Sequence, residues 1–125
     1  MKRKAVVTGG ASGIGAAISR RFAQDGMQVV VADRDAGAAE ALAAEIGGEA
    51  WVADLADTAA LEDLTLECDV LVNNAGVQRV APIHEFDPQD FRLIQRLMLE
   101  APFLLTRAVL PHMYSQGWGR VINIS

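Results

Sequence analysis

An α/β fold built on a doubly wound parallel sheet is predicted by three features of this 125-residue chain. Short strand-like runs alternate with helical stretches along its whole length. The strands are unbroken apolar runs rather than polar/apolar alternations, as a sheet covered on both faces requires. The first strand leads through a glycine-rich turn straight into the first helix. The five strands read as the first five of such a sheet. Residues 1–125 form one domain that is incomplete toward its C-terminal end.

Taken in order, residues 4–8 are a short β-branched run that stops at Gly9. From Ser12 the apolar residues Ile14, Ala17, Ile18, Phe22 and Ala23 recur at helical spacing until Gly26. Residues 28–32 make a second strand, and residues 36–46 an Ala/Glu/Leu helix closed by Gly47 and Gly48. Residues 50–53 make a third strand ending at Asp54, and residues 57–66 hold one short helix at most. Residues 70–72 make a fourth strand, stopped by Asn73, Asn74 and Gly76. The longest helix follows, with Asp87 as its N-cap and Pro88 at its first position. Phe91, Ile94, Met98, Ala101, Leu105, Ala108 and His112 lie along one face of it, and Pro102 should kink it by removing a hydrogen bond. Gly117 and Gly119 end it, and residues 121–124 are the fifth strand.

Composition narrows the function. With 51% hydrophobic and 22% charged residues the chain is too apolar for disorder. A net charge of -5 and a pI near 4.9 argue against nonspecific nucleic-acid binding, which needs clustered Lys and Arg. The basic start, Met1 to Lys4, is too short for a signal peptide, and no apolar run approaches the roughly 20 residues that span a bilayer. Cys68 is the only cysteine and no Cys/His cluster has zinc spacing, so no metal site is expected. Cys68 reads as an inert thiol, His84 and His112 as residues without a partner cluster, and Trp51 as packing. A cytoplasmic protein with no nucleic-acid or membrane partner is the expectation.

The glycine turn carries the first chemical signal. Thr8-Gly9-Gly10-Ala11-Ser12-Gly13-Ile14-Gly15 joins strand to helix, and glycines let the backbone approach a ligand with no Cβ in the way. A helix start presents unpaired N–H groups and a positive dipole end, which suits a diphosphate. No Gly-Lys-Ser/Thr follows, so a triphosphatase P-loop is excluded. Gly9, Ser12, Gly13, Ile14 and Gly15 are therefore the candidate cradle of a dinucleotide-binding, Rossmann-like domain. Asp33, at the end of the second strand, is placed to bind the adenosine ribose hydroxyls and to repel a 2′-phosphate. Two unit charges about 4 Å apart interact by roughly 4 kcal/mol at an effective dielectric of 20. Arg34 pulls the other way, since a guanidinium attracts a phosphate. NAD is favoured over NADP.

Thr8-Gly9-x-x-x-Gly13-Ile14-Gly15 together with Asn73-Asn74-Ala75-Gly76 resembles the short-chain dehydrogenase/reductases over essentially the whole chain. The resemblance implies an NAD-dependent oxidoreductase. It places Asp54 on the adenine amino group, Asn74 and Gly76 in the cofactor pocket, and Asn73 as a brace in the sheet. Within the family, Asn74-Ala75-Gly76-Val77-Gln78 with Val80-Ala81-Pro82-Ile83 is similar to the bacterial D-3-hydroxybutyrate dehydrogenases. There the matching glutamine binds the substrate carboxylate, and the amide of Gln78 offers two N–H donors for it. A hydroxy acid or ketone substrate and a homo-oligomer are implied.

Two departures qualify the resemblance. Met98 stands where the family's long helix carries an asparagine that helps hold a water in a proton relay, and a thioether is only a weak acceptor. The family's Tyr-x-x-x-Lys lies beyond the fifth strand, past Ser125, and its catalytic serine is usually the residue after the one Ser125 matches. Tyr114 has Trp118, not Lys, four positions on. No catalytic residue is assigned, and the missing general acid/base is typically worth about 10²–10⁴-fold in rate. Two readings follow: the N-terminal half of such a dehydrogenase with little turnover alone, or an inactive module that binds NAD or another subunit.

Overall fold

Five strands, β1 (Lys4–Thr8), β2 (Gln28–Asp33), β3 (Glu49–Val52), β4 (Val70–Asn73) and β5 (Arg120–Asn123), form one parallel sheet in the computed structural model, which describes residues 2–125. Their order is β3-β2-β1-β4-β5. Register pairs Val6 with Val30 and with Leu71, and Val31 with Ala50. The chain winds outward from β1 through β2 to β3, then crosses back to place β4 on the other side of β1. That reversal opens a crevice at the carboxyl ends of β1 and β4, where open α/β sheets bind ligands.

Helices α1 (Gly13–Gln24) and α2 (Ala36–Ile46) cover one face, and α4 (Ala101–Gln116) covers the other. Successive strand residues point to opposite faces, so each strand feeds two cores. Ala5, Val7, Val29, Val31, Val70 and Val72 pack with Ala16, Ala39, Leu42 and Ala43. Val6, Val30 and Leu71 pack with Leu105, Val109 and Met113 of α4 and with Leu55 and Leu61. Only β1, β2 and β4 are buried on both sides. The outer strands depart from that expectation, because each has one neighbour and incomplete helical cover: Val52 of β3 and Ile122 of β5 are exposed.

Local signals set most helix ends. The Asp35 side chain accepts the Ala38 N–H at 3.0 Å to start α2, and Gly47, at φ +69°, ends it in the left-handed region that favours glycine. Residues 57–66 hold a single 3-10 turn, Thr58–Leu61. Helix α3 (Pro88–Gln95) starts as expected, with Asp87 accepting the Gln89 N–H at 2.8 Å and Pro88 in the first turn.

The long helix is where the sequence expectation needs correcting. It is three segments: α3, a π-helical turn over Arg96–Glu100, and α4. Pro102 has no N–H for an upstream carbonyl, so the chain widens one turn before it and restarts with the proline in the first turn of α4, where no donor is needed. The inserted turn breaks the face drawn from Phe91 to His112. Ala101, Leu105 and Ala108 are buried on it, while Phe91 and Met98 are exposed.

The amino-terminal end of the sheet is tied by Asp69. Its N–H donates to the Lys4 carbonyl, its carbonyl accepts from Arg120, and its carboxylate accepts the Lys4 N–H at 2.8 Å. The other carboxylate oxygen meets Nε2 of His112 at 3.1 Å, so His112 has a partner that sequence alone did not reveal. The guanidiniums of Arg3 and Arg120 lie over the ring of Trp118, which follows α4, at 3.6 and 4.6 Å from its centroid.

Burial opposes ionisation of Asp69. The Lys4 N–H, the hydrogen bond and charge of His112, and the charge of Arg3 outweigh it and hold the carboxyl below its ordinary value. Such a carboxyl adds stability above its unfolded value, about 3.9, and that stability is lost as pH falls through the folded value. Asp69→Asn is therefore expected to lower the thermal midpoint near neutral pH, with the deficit shrinking below about pH 4. Circular-dichroism melts across that range check this, and a deficit that stays constant into acid contradicts it.

Candidate functional site

The turn after β1 is shaped by close backbone approach. Gly9 sits at φ +58°, and a Cβ there would lie 3.0 Å from the Ala75 Cα and 3.1 Å from Asn74 Nδ2. Gly15, in the first turn of α1, packs so tightly that a Cβ would overlap the Gly9 carbonyl oxygen and lie 2.7 Å from Asn74 Nδ2. The turn is held from two sides: the Gly10 N–H donates to Ala32 of β2, and the buried Ser19 hydroxyl donates to the Gly10 carbonyl. Ser12 is the N-cap of α1, and its hydroxyl makes no capping hydrogen bond. The first amides of α1 are thus not covered by the cap residue, which fits a diphosphate at this helix start.

Thr8 and Asn74 lock β1 to β4. The Thr8 hydroxyl donates to the Val72 carbonyl and accepts the N–H groups of Asn74 (2.9 Å) and Ala75 (3.0 Å). The Asn74 side-chain amide donates to the carbonyls of Thr8 and Gly9, at 3.2 and 3.3 Å. The side chain of Asn74, read from the resemblance as part of the cofactor pocket, braces the glycine turn at the edge of the crevice. Thr8 heads the glycine motif, but the sequence alone assigned it no role. Its signal is a hydroxyl closing an apolar strand immediately before the glycines. Asn73 acts as the expected sheet brace, donating from Nδ2 to Oδ1 of Asn123 at 2.9 Å, while its own Oδ1 is buried without a partner among the described residues.

The crevice itself has a volume of about 260 Å³ and is bordered by Gly9, Ser12, Asp33, Asp54 and Gly76. Arg34, Ala75, Leu93 and Leu97 also line it. Asp33 is fixed at both oxygens, one accepting the Ala11 N–H and the other the Asp35 N–H, each at 3.1 Å. Asp54 accepts the Ala56 N–H at 3.0 Å and stays exposed at the rim. Gly13 shapes the turn at φ +54° with open space around it. The Ile14 side chain is exposed and borders an apolar hollow with Phe22 and Ile122. Gln78 lies on an exposed loop and lines neither the crevice nor the groove beside β5. Leu93 and Leu97 were not anticipated, since only the fold brings α3 and the π turn to the crevice.

Elsewhere, burial and the neighbouring Asp69 charge push the Cys68 thiol up to about 11, which matches an unreactive core thiol. Trp51 packs against the core beneath α4. Among the described residues no acidic, His or Cys group could hold a metal, and no helix is long and apolar enough to cross a membrane.

A parallel sheet reversing beside a glycine turn, with an acid at the end of the adjoining strand, defines the Rossmann-like class, the architecture that binds dinucleotides. The short chain dehydrogenase family model matches residues 3–125, and the chain belongs to that family. An uncharacterized oxidoreductase of Bacillus subtilis, YxjF, is 40% identical over 99% of this chain and 53% of its own length. A D-beta-hydroxybutyrate dehydrogenase of Cupriavidus necator is 38% identical over 98% of this chain and 52% of its own. The crystal structure of a metagenomic short-chain oxidoreductase in complex with NADP superposes with a TM-score of 0.89 at 40% identity, covering 98% of this chain and 61% of that one. The chain spans about half the length of the curated relatives it matches.

Thr8→Val preserves shape but leaves the Asn74 and Ala75 N–H groups without their acceptor, so it is expected to cost about 2–4 kcal/mol, with Thr8→Ser costing clearly less. Urea unfolding midpoints measure both. A loss for Thr8→Ser as large as that for Thr8→Val would contradict a dominant role for the hydroxyl.

Proposed function

We propose that this chain forms the cofactor-binding part of an NAD-dependent oxidoreductase that moves a hydride between nicotinamide and a hydroxy acid or ketone, with 3-hydroxybutyrate as the favoured substrate. The observation that carries the cofactor choice is Asp33. Its carboxylate is held at the crevice by two backbone N–H groups and cannot swing away without leaving them unpaired. A 2′-hydroxyl can donate to such a carboxylate, whereas a 2′-phosphate meets a fixed like charge. Arg34 lines the same crevice, and the metagenomic relative was solved with NADP, so this choice rests on Asp33 outweighing Arg34.

In this reading the α1 amides and the turn around Gly9, Ser12, Gly13 and Gly15 hold the diphosphate. Asp33 holds the adenosine ribose, Asp54 the adenine edge, and Gly76 admits the cofactor beside β4. The bound dinucleotide supplies the hydride chemistry. Gln78 serves the substrate carboxylate, its position on an exposed loop leaving both amide donors free to turn toward a ligand. Residues 1–125 act as one dinucleotide-binding domain in the cytoplasm. The exposed Leu99, Phe103 and Tyr114 along the π turn and α4 support a homo-oligomer.

Calorimetric titration tests the cofactor choice. NAD is expected to bind at least about tenfold more tightly than NADP, and Asp33→Asn to narrow that gap while keeping an acceptor for the Ala11 N–H. NADP binding as tightly as NAD to the unmodified chain would sink the choice. Residues 1–125 taken alone, which hold no Tyr-x-x-x-Lys, are expected to turn over 3-hydroxybutyrate at about 1% or less of an intact relative's rate, measured as NADH formation.

A further inference from the structure

Little holds residues 76–81, which lead from the end of β4 toward α3. Among the described residues, none of these six makes a backbone–backbone hydrogen bond. Gln78, Arg79, Val80 and Ala81 are all exposed, so burial does not fix them either. A segment with neither paired backbone nor buried apolar contacts moves unless a side chain fastens it. Gln78 stands in the middle of this segment, and an amide donor serves a ligand best when its backbone is already in place.

Arg79 is the fastening that the structure supplies. Its Nη1 donates to the Gln78 carbonyl at 3.0 Å, and its Nε lies 3.7 Å from Oδ1 of Asp90, in the first turn of α3. A carboxylate there is favoured by the positive end of the helix dipole. Three residues on, Leu93 borders the crevice, and side chains three apart share a helix face. The guanidinium thus ties the Gln78 backbone to the face of α3 that meets the crevice. Its planar fork reaches both partners at once, which the compact ammonium of a lysine does not reproduce. Both charged side chains are partly exposed, so the pair is weak and screened by salt.

We infer that Arg79 is a positioning residue for Gln78, clasping residues 76–81 to α3 through Asp90. The inference rests on the reading of Gln78 as donor to the substrate carboxylate, and its test separates the two. Nuclear magnetic resonance supplies two readouts on the parent chain, on Arg79→Gln, on Asp90→Asn and on the exchanged pair Arg79→Asp with Asp90→Arg. Backbone order parameters of residues 77–81 report the clasp. The side-chain amide shift of Gln78 reports affinity as 3-hydroxybutyrate is titrated into the chain saturated with NADH, a pairing that cannot react.

Either single variant is expected to lower the order parameters toward the flexible range, below about 0.6, and to weaken 3-hydroxybutyrate about three- to fivefold. The exchanged pair should restore both in part, and NADH affinity should stay within about twofold throughout. Salt at about 0.5 M should loosen the parent in the same way and add little to Arg79→Gln. Asp90→Asn carries the sharpest sign. A clasp weakens with the loss of its carboxylate, so affinity falls. A guanidinium that itself bound the substrate carboxylate would be freed from a competitor, and affinity would rise.

The inference is overturned if Asp90→Asn raises the affinity, if Arg79→Gln leaves the order parameters unchanged, or if NADH weakens in parallel with 3-hydroxybutyrate. A loosened segment with unchanged 3-hydroxybutyrate affinity overturns the positioning role and leaves the Gln78 reading standing. A parent chain whose Gln78 amide does not respond to 3-hydroxybutyrate overturns the Gln78 reading and this inference together.

Discussion

Everything at the carboxyl edge of the sheet depends on how closely two backbone segments approach where β1 and β4 end. The Thr8 hydroxyl fills all its hydrogen-bonding roles across that seam, and the Asn74 amide reaches back over it to two carbonyls of the turn. Gly15 allows the approach because any side chain there would overlap the Gly9 carbonyl. Buried polar groups left unpaired cost more than paired ones gain, so the seam closes in essentially one way. The start of α1 is then aimed into the crevice as a consequence of strand pairing.

The same seam explains why acidic and glycine residues share the work at this edge. Asp33 orders the glycine turn through Ala11 and the start of α2 through Asp35 before any ligand arrives. Its carboxylate is thereby both a structural acceptor and a charge held in place, and a held charge discriminates better than a mobile one because it cannot relax away from a phosphate. The opposite end of the sheet uses the same device for stability alone: Asp69 joins β1, β4, β5 and α4 through its backbone and both carboxylate oxygens.

The helical layer over β4 shows how a single residue can redirect a long element. A proline near the middle of an otherwise continuous helix displaced the irregularity upstream into the π turn, which changed the face shown by everything before it. Leu93 and Leu97 border the crevice, and Met98 lines the groove beside β5. A face drawn by helical periodicity from Phe91 to His112 runs straight through the proline, and only its later part, with Ala101, Leu105 and Ala108, is buried, while Phe91 and Met98 are exposed.

Five strands, the helices between them, the glycine turn and the acid ending β2 were legible in the amino-acid sequence, because each is written in neighbouring residues: an apolar run, a cap, a glycine where φ turns positive. Asp87 before Pro88 is such a signal, and its hydrogen bond spans two residues. What only tertiary structure decided are contacts between distant segments: Asn74 with Thr8, 66 residues apart, His112 with Asp69, 43 apart, and the thioether of Met98 over Gly76. No local pattern encodes these partners. They meet because the sheet reverses its winding at β1, and a side chain's role is set by what that reversal brings within reach.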